Sequence, residues 1–113
     1  YGVGVEVVHS PGVPPVVNDA TAIADLRAGA VQMGLDPVAT RQSMGGEDFA
    51  WFLHHAPGAM ARLGTRAPGG RTYDLHQGDL IVDEAAIPAG AMLLASTALA
   101  AIGRYAANHA TSS

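Results

Sequence analysis

The sequence has no cysteine among its 113 residues, which excludes disulfide bonds and metal sites built on thiolates. Aromatic residues make up 5% of the chain, so the 49% of residues that are hydrophobic supply few large side chains. Charged residues are also few, at 14%, and this composition is typical of a folded rather than a disordered protein. We therefore expect one domain with a thin apolar core.

Basic residues are scarce as well. All six are arginines, scattered along the chain, and ten acidic residues bring the net charge to -4. A nucleic-acid backbone requires a concentrated basic surface, so we expect no nucleic-acid partner. No uninterrupted apolar run reaches the roughly 18 residues that a membrane span requires, and no stretch resembles a signal peptide. We expect a cytoplasmic protein without a membrane partner. Because the chain opens on Tyr1 rather than methionine, we also expect a segment of a longer protein.

Several stretches have the pattern of β-strands. Valine alternates at positions 3, 5 and 7, which is the period of a strand with one buried face. Shorter candidates lie at residues 38–42 and 59–64, with a brief extended piece at 80–82. Residues 10–15 are rich in proline, and they predict either a crossover between two structural units or a surface loop.

The first predicted helix covers residues 18–33. Asn18 is the expected N-cap and Asp19 lies in the first turn, where a negative charge complements the helix dipole. Apolar residues then recur every three or four positions on one face. Gly34 is the expected residue at which the helix ends.

Two further helices are predicted. One begins at residue 47 and ends near His54 and His55, which would complement the dipole at its last turn. The other runs from residue 83 to about residue 107 in an alanine-rich background, with Pro88 in its first turns, and the tail beyond it is expected to fray.

Two polar stretches could carry chemistry. His76 could be a metal ligand or a general base, because neutral imidazole offers a lone pair, and an ordinary loop histidine is the alternative. Gly45 and Gly46 precede a helix start, where free backbone N–H groups could bind an anion such as a carboxylate. Glu47 and Asp48 follow them, and simple helix capping explains these two acids without any ligand.

A series of short motifs follows in a fixed order along the chain: Asn18-Asp19, Met44-Gly45-Gly46-Glu47-Asp48-Phe49, Pro57-Gly58, Leu63-Gly64, Leu75-His76 and Asp83-Glu84. In this order the motifs resemble the C-terminal segment of the M20 metallopeptidase-like amidohydrolases. This family includes hippurate hydrolases, N-acyl-amino-acid deacylases and auxin-conjugate hydrolases. The resemblance covers nearly the whole chain, with one departure, since Gln77-Gly78 stands where relatives commonly carry Ser-Pro.

The resemblance implies an α/β fold. Residues 14–113 would be the C-terminal portion of a zinc-peptidase-like catalytic domain, with a mixed sheet flanked by helices. Residues 1–13 would be the last strand of an α+β lid domain, through which family members often form homodimers.

The resemblance also implies roles for single residues. His76 would be a ligand in a site for two divalent metal ions (Zn, Mn, Co or Ni). Its second ring nitrogen would be oriented by an acceptor, for which Asp74 and Asp79 are the candidates. The loop with Gly45, Gly46 and Glu47 would line the substrate cleft.

The implied activity is metal-dependent hydrolysis of the amide bond in N-acyl amino acids or small peptides. The other metal ligands and the general-base glutamate would belong to the N-terminal half of the protein. This segment would therefore carry no catalytic residue of its own and would be inactive without that half. The alternative is an independent, non-catalytic module that uses the same scaffold for protein association.

Overall fold

The computed structural model describes residues 2–110, and it contains three helices joined by irregular segments. They are α1 (Ala20–Gln32), α2 (Phe49–Leu53) and α3 (Ala86–Ala110). Within residues 2–110 no strand is formed. The expected mixed sheet and the expected lid strand are therefore both wrong.

The missing strands follow from the missing partners. A strand is held by hydrogen bonds to a neighbour, and an unpaired one has no ladder. In the part of the chain that the structure describes, residues 3–8 and 38–42 make no backbone hydrogen bond to another segment. The alternating valines at 3, 5 and 7 are about four-fifths exposed. Tyr1, with which the predicted lid segment starts, lies outside the described residues.

The start of α1 differs by one residue from the prediction. Asp19, not Asn18, is the N-cap: its backbone is extended (φ -68°, ψ 136°) and its Oδ1 accepts from the Ala22 N–H at 2.9 Å. The Asn18 Oδ1 instead accepts from the Met60 N–H at 2.9 Å. Asn18 therefore ties the helix start to a segment 42 residues later in the chain.

The end of α1 confirms the role predicted for Gly34. This glycine has a φ of +72°, the left-handed conformation that L side chains rarely adopt. Its N–H donates to the Val31 carbonyl at 3.0 Å, and the Leu35 N–H donates to the Ala30 carbonyl at 3.0 Å. This pair of bonds is a Schellman motif, which satisfies carbonyls that the helix leaves free.

The α1 and α3 helices pack against each other at a glycine. A Cβ atom placed on Gly29 of α1 would lie 2.8 Å from both the Thr97 backbone N and the Thr97 Oγ1 of α3. The Thr97 hydroxyl is held by its own hydrogen bond to the Leu93 carbonyl at 2.7 Å. The two backbones can approach this closely because Gly29 carries no side chain.

An ion pair joins the same two helices. Asp25 of α1 is buried, and its carboxylate accepts from the Nε and the Nη2 of Arg104, at 3.1 and 2.8 Å. Hydrogen bonding from Arg104 lowers the pKa of Asp25, against the desolvation that would raise it. Two parallel N–H···O bonds of this kind fix geometry as well as charge.

Helix α3 begins and ends three residues later than predicted. Pro88 lies in its first turn, where an N–H would have no helical partner in any case. Residues 108–110 are helical rather than frayed, and 111–113 lie outside the described residues.

By length and composition α3 could cross a membrane, but a single helix of this kind is weak evidence. The absence of a membrane partner stays a prediction.

Little of the described chain is buried. Ala30 and Ala50 are the only residues in it whose apolar side chains are buried. The radius of gyration is 19.4 Å, against the roughly 13 Å expected for a compact domain of about this length. The overall extents are 72 × 47 × 20 Å, so the molecule is flat. This open shape leaves a large concave surface, which is the main candidate for a binding site.

Candidate functional site

The concave surface is a cleft of about 1,020 Å³. One side is the face of α1 that carries Leu26 and Ala30, and another is the start of α3. Irregular segments complete the walls, at residues 13–16, 35–47 and 60–64. The volume is at the upper end of what ligand pockets usually offer, so a small molecule or a polypeptide segment fits.

The predicted substrate-binding residues lie on this cleft. Gly45, Gly46 and Glu47 all line it, in the segment that leads into α2. The Gly45 N–H donates to the Ser43 Oγ at 3.2 Å, and a Cβ on Gly46 would meet Val13 at an ordinary 3.5 Å. The two glycines have no positive φ, so the left-handed backbone that they permit is not used here.

Glu47 does not cap helix α2 with its side chain in the described structure. The N-cap is Asp48, which makes no capping hydrogen bond through its own side chain. The carbonyl of Glu47 accepts from the Ala50 N–H at 3.0 Å, while its carboxylate stays exposed on the cleft wall. Capping therefore does not account for the position of this carboxylate.

Arginines gather on the cleft although they are scattered in the sequence. Four of the six arginines line it, against the three carboxylates of Asp36, Glu47 and Asp83. The four are Arg27, Arg41, Arg62 and Arg66. The wall therefore offers more cationic than anionic groups, in a protein whose net charge is -4. Residue spacing does not reveal this, because three separate segments bring these positions together.

His76 does not line the cleft. It lies on a loop whose two ends reach the cleft wall. Arg66 and Asp83 line the cleft, and the Asp83 N–H donates to the Thr65 carbonyl at 2.8 Å, which closes the base of the loop. His76 itself is exposed. The structure thus places the predicted metal ligand and the predicted substrate loop on separate segments, linked through the rim of the cleft.

The backbone of His76 is unusual. Its φ is +69°, and among residues 2–110 it is the only residue other than glycine with a positive φ. Histidine tolerates this region better than most residues, but the conformation still costs energy of order 1 kcal/mol. Such outliers concentrate at functional sites. No residue pattern around position 76 indicates this strain.

The described residues can supply one metal ligand, His76, but they do not form a complete metal site. Within residues 2–110 no three His, Cys, Asp or Glu side chains are grouped so that they could hold a metal ion. A catalytic zinc ion generally takes three protein ligands. An exposed imidazole is chemically suited to be one of them, so a site that includes His76 needs donors from outside these residues.

Neither acceptor proposed for His76 is in place. No hydrogen bond joins its ring to Asp74 or Asp79 among the described residues. The Asp79 carboxylate instead accepts from the Arg71 Nη1 at 3.2 Å. The hypothesis that one of these acids orients the imidazole is therefore dropped for this structure.

Comparison with known proteins decides the family. The profile of peptidase family M20/M25/M40 matches residues 3–100, which is most of the chain. The chain belongs to this family. Members of the M20 family generally use divalent metal ions. The resemblance read from the order of the motifs is thereby confirmed.

Three curated relatives illustrate the range of names. A protein named as a glutamate–cysteine ligase from Rhodococcus jostii is 47% identical over 83% of this chain. A protein named as a hydrolase from Synechocystis sp. is 42% identical over 87% of the chain. An N-acetylcysteine deacetylase from Bacillus subtilis is 31% identical over 88% of it.

The matched region is a small part of each relative. This chain spans 12% of the ligase, 26% of the hydrolase and 25% of the deacetylase. The name of each relative therefore describes a much longer protein. No solved structure matches the chain.

Proposed function

We propose that this chain is the C-terminal segment of a metal-dependent amidohydrolase that cleaves the amide bond of N-acyl amino acids or small peptides. The observation that carries the proposal is the M20 family match over residues 3–100. The deacetylase of Bacillus subtilis supports the substrate class, because an N-acetyl group is attached to an amino acid through an amide. The ligase name carries less weight, since the match covers 12% of that protein.

The cleft supports a substrate that bears a carboxylate. N-acyl amino acids and peptides end in a free carboxylate at neutral pH. The four arginines on the cleft wall are donors whose planar guanidinium groups match carboxylate geometry. Gly45, Gly46 and Glu47 line the same surface, where they would contact the remainder of the substrate.

His76 is the proposed metal ligand of this segment. Its imidazole is exposed and its backbone is held in a strained conformation. When bound, divalent metal ions supply Lewis-acid activation of water and of the amide carbonyl. The role of His76 would be to hold one such ion through a neutral ring nitrogen.

The rest of the longer protein is the proposed partner of this segment. Large apolar side chains are exposed along α3, among them Ile87, Leu94 and Ile102. Each of these three side chains is more than three-fifths exposed, so the packing of α3 on α1 leaves them largely uncovered. Coverage by the N-terminal half would bury this surface and bring the missing ligands. Homodimer formation, the cytoplasmic location and the boundary between residues 13 and 14 stay predictions.

A metal analysis tests the proposal. The full-length protein is purified with and without His76→Ala, and its zinc, manganese, cobalt and nickel content is measured by elemental analysis. Hydrolysis of N-acetyl amino acids is followed in parallel. His55→Ala is the matched control, because it removes an exposed histidine that does not line the cleft.

We expect His76→Ala to lose about one metal equivalent together with activity, and His55→Ala to keep both. Unchanged metal content in His76→Ala would show that His76 is an ordinary loop residue. If the metal-loaded full-length protein hydrolysed no amide substrate, that result would contradict the assigned reaction.

A further inference from the structure

The loop that carries His76 is cross-linked by an arginine. Arg71 donates from its Nη1 to the Asp79 Oδ2 at 3.2 Å, so the two ends of residues 71–79 are tied together. The guanidinium carbon of Arg71 also lies 4.7 Å from the centre of the Tyr73 ring. We name Arg71, Tyr73 and Asp79 the arginine clamp. His76 lies inside the segment that this clamp closes.

The clamp encloses the strained backbone. His76 adopts its φ of +69° between Tyr73 and Asp79, and the Leu80 N–H donates to the Gln77 carbonyl at 3.2 Å immediately after it. A left-handed residue other than glycine persists only when its surroundings hold it there. Within the described chain, the arginine clamp joins side chains that come before His76 in the loop to one that comes after it.

We propose that Arg71 is a positioning residue for His76: by closing the loop onto Asp79 and Tyr73 it holds the imidazole in the orientation that binds metal. This inference rests on the proposed function, which makes His76 a ligand. Arginine suits the task because one planar group can donate to a carboxylate and stack on an aromatic ring together. Lysine could replace the charge but not the stacking.

The expected effect is modest. The Arg71 and Asp79 side chains are 64% and 61% exposed, and exposed ion pairs contribute little. The clamp acts by raising the fraction of molecules whose loop is ready to bind, and apparent affinity scales with that fraction. From the strength of an exposed pair together with the ring contact, loss of the clamp should weaken metal binding by about threefold to tenfold.

The test measures zinc affinity in the full-length protein by competition with a chelator of known affinity. The variants are Arg71→Ala, Arg71→Lys, Asp79→Asn and the charge swap Arg71→Asp with Asp79→Arg. Asp74→Asn is the matched control, because it removes a carboxylate from the same loop outside the clamp. Thermal melting of each variant separates an effect on the loop from general loss of folding.

We expect Arg71→Ala and Asp79→Asn to weaken zinc binding by about threefold to tenfold without changing its stoichiometry or the melting midpoint. The zinc affinity of Arg71→Lys should lie between that of these two variants and that of the native protein. The charge swap should recover at least part of the affinity. Asp74→Asn should bind zinc as the native protein does. A purely structural role would move the melting midpoint and leave affinity unchanged in the folded variants.

The outcomes separate this inference from the proposed function. Loss of metal in His76→Ala with native zinc affinity in Arg71→Ala and Asp79→Asn would overturn the positioning role alone. Native metal content in His76→Ala would overturn both. Affinity that falls equally in Asp74→Asn, or that the charge swap does not recover in a normally folded protein, would also overturn the positioning role.

Discussion

Replacing Gly29 by alanine tests the closest contact in the fold. In an exposed helix interior, glycine to alanine stabilises by about 1 kcal/mol, because alanine has the higher helix propensity. At Gly29 the new Cβ would lie 2.8 Å from the Thr97 backbone N, a distance that real Cβ atoms essentially never show. The Thr97 side chain is fixed by its bond to the Leu93 carbonyl, so it cannot simply turn away.

Overpacking of this kind typically costs about 1–3 kcal/mol. Set against a propensity gain of about 1 kcal/mol, Gly29→Ala should therefore range from neutral to about 2 kcal/mol destabilising. Gly103 provides the matched control, since it also lies inside a helix but a Cβ placed on it would meet no atom within 4 Å. Gly103→Ala should stabilise α3 by about 1 kcal/mol.

Hydrogen exchange of the full-length protein, read by mass spectrometry on peptides from α1 and α3, measures the two effects locally. We expect amides in both helices to exchange faster in Gly29→Ala than in Gly103→Ala. If both variants protected these amides more than the native protein does, and to the same extent, the predicted clash would be refuted. That result would mean that α1 and α3 do not approach each other at Gly29.

Two further predictions concern α1. Because hydrogen bonding from Arg104 lowers the pKa of Asp25, the pair stabilises the fold above the ordinary carboxyl pKa of 3.8 and is lost as the pH falls through the lower folded value. Thermal melting should show Asp25→Asn as less stable at pH 7, with the gap to the native protein shrinking below pH 3.8; a gap independent of pH would contradict this. Asp19→Ala removes the N-cap and should cost about 1 kcal/mol, seen as faster exchange in the first turn of α1. Unchanged exchange there would show that the cap contributes nothing.

The helices could be predicted from the sequence because their signals are local. The apolar period of α1 and the left-handed Gly34 at its end act within a few residues, and α1 spans residues 20–32 against the predicted 18–33. The N-cap was misplaced because Asn18 bonds to Met60. A contact 42 residues away overrides a local preference that two neighbouring polar residues share.

The strands could not be predicted reliably, because alternation describes only one side of a strand pair. Valines at 3, 5 and 7 have the correct period, yet the described chain supplies no partner for them. Strand propensity reflects packing against neighbours more than any preference of the backbone itself. A helix pairs its own N–H and C=O groups, so α1 and α3 form without a neighbouring segment. The predicted strands would need such a neighbour, and they do not form.

The candidate site was predictable only in part. His76 and the loop with Gly45, Gly46 and Glu47 could be singled out from motifs, and their roles are proposals. The convergence of the four arginines on the cleft depends on chain topology and left no trace in residue spacing. The same holds for the pairing of Arg71 with Asp79 and for the left-handed backbone of His76.

Helix α3 links three parts of the molecule mechanically. Its first turns line the cleft, Asp83 just before it closes the base of the His76 loop, and Arg104 near its far end is tied to α1. A helix of 25 residues is about 38 Å long and moves as a stiff rod. Any sliding of α3 along α1 would therefore move the cleft wall and the base of the histidine loop together, because both are attached at the N-terminal end of this helix.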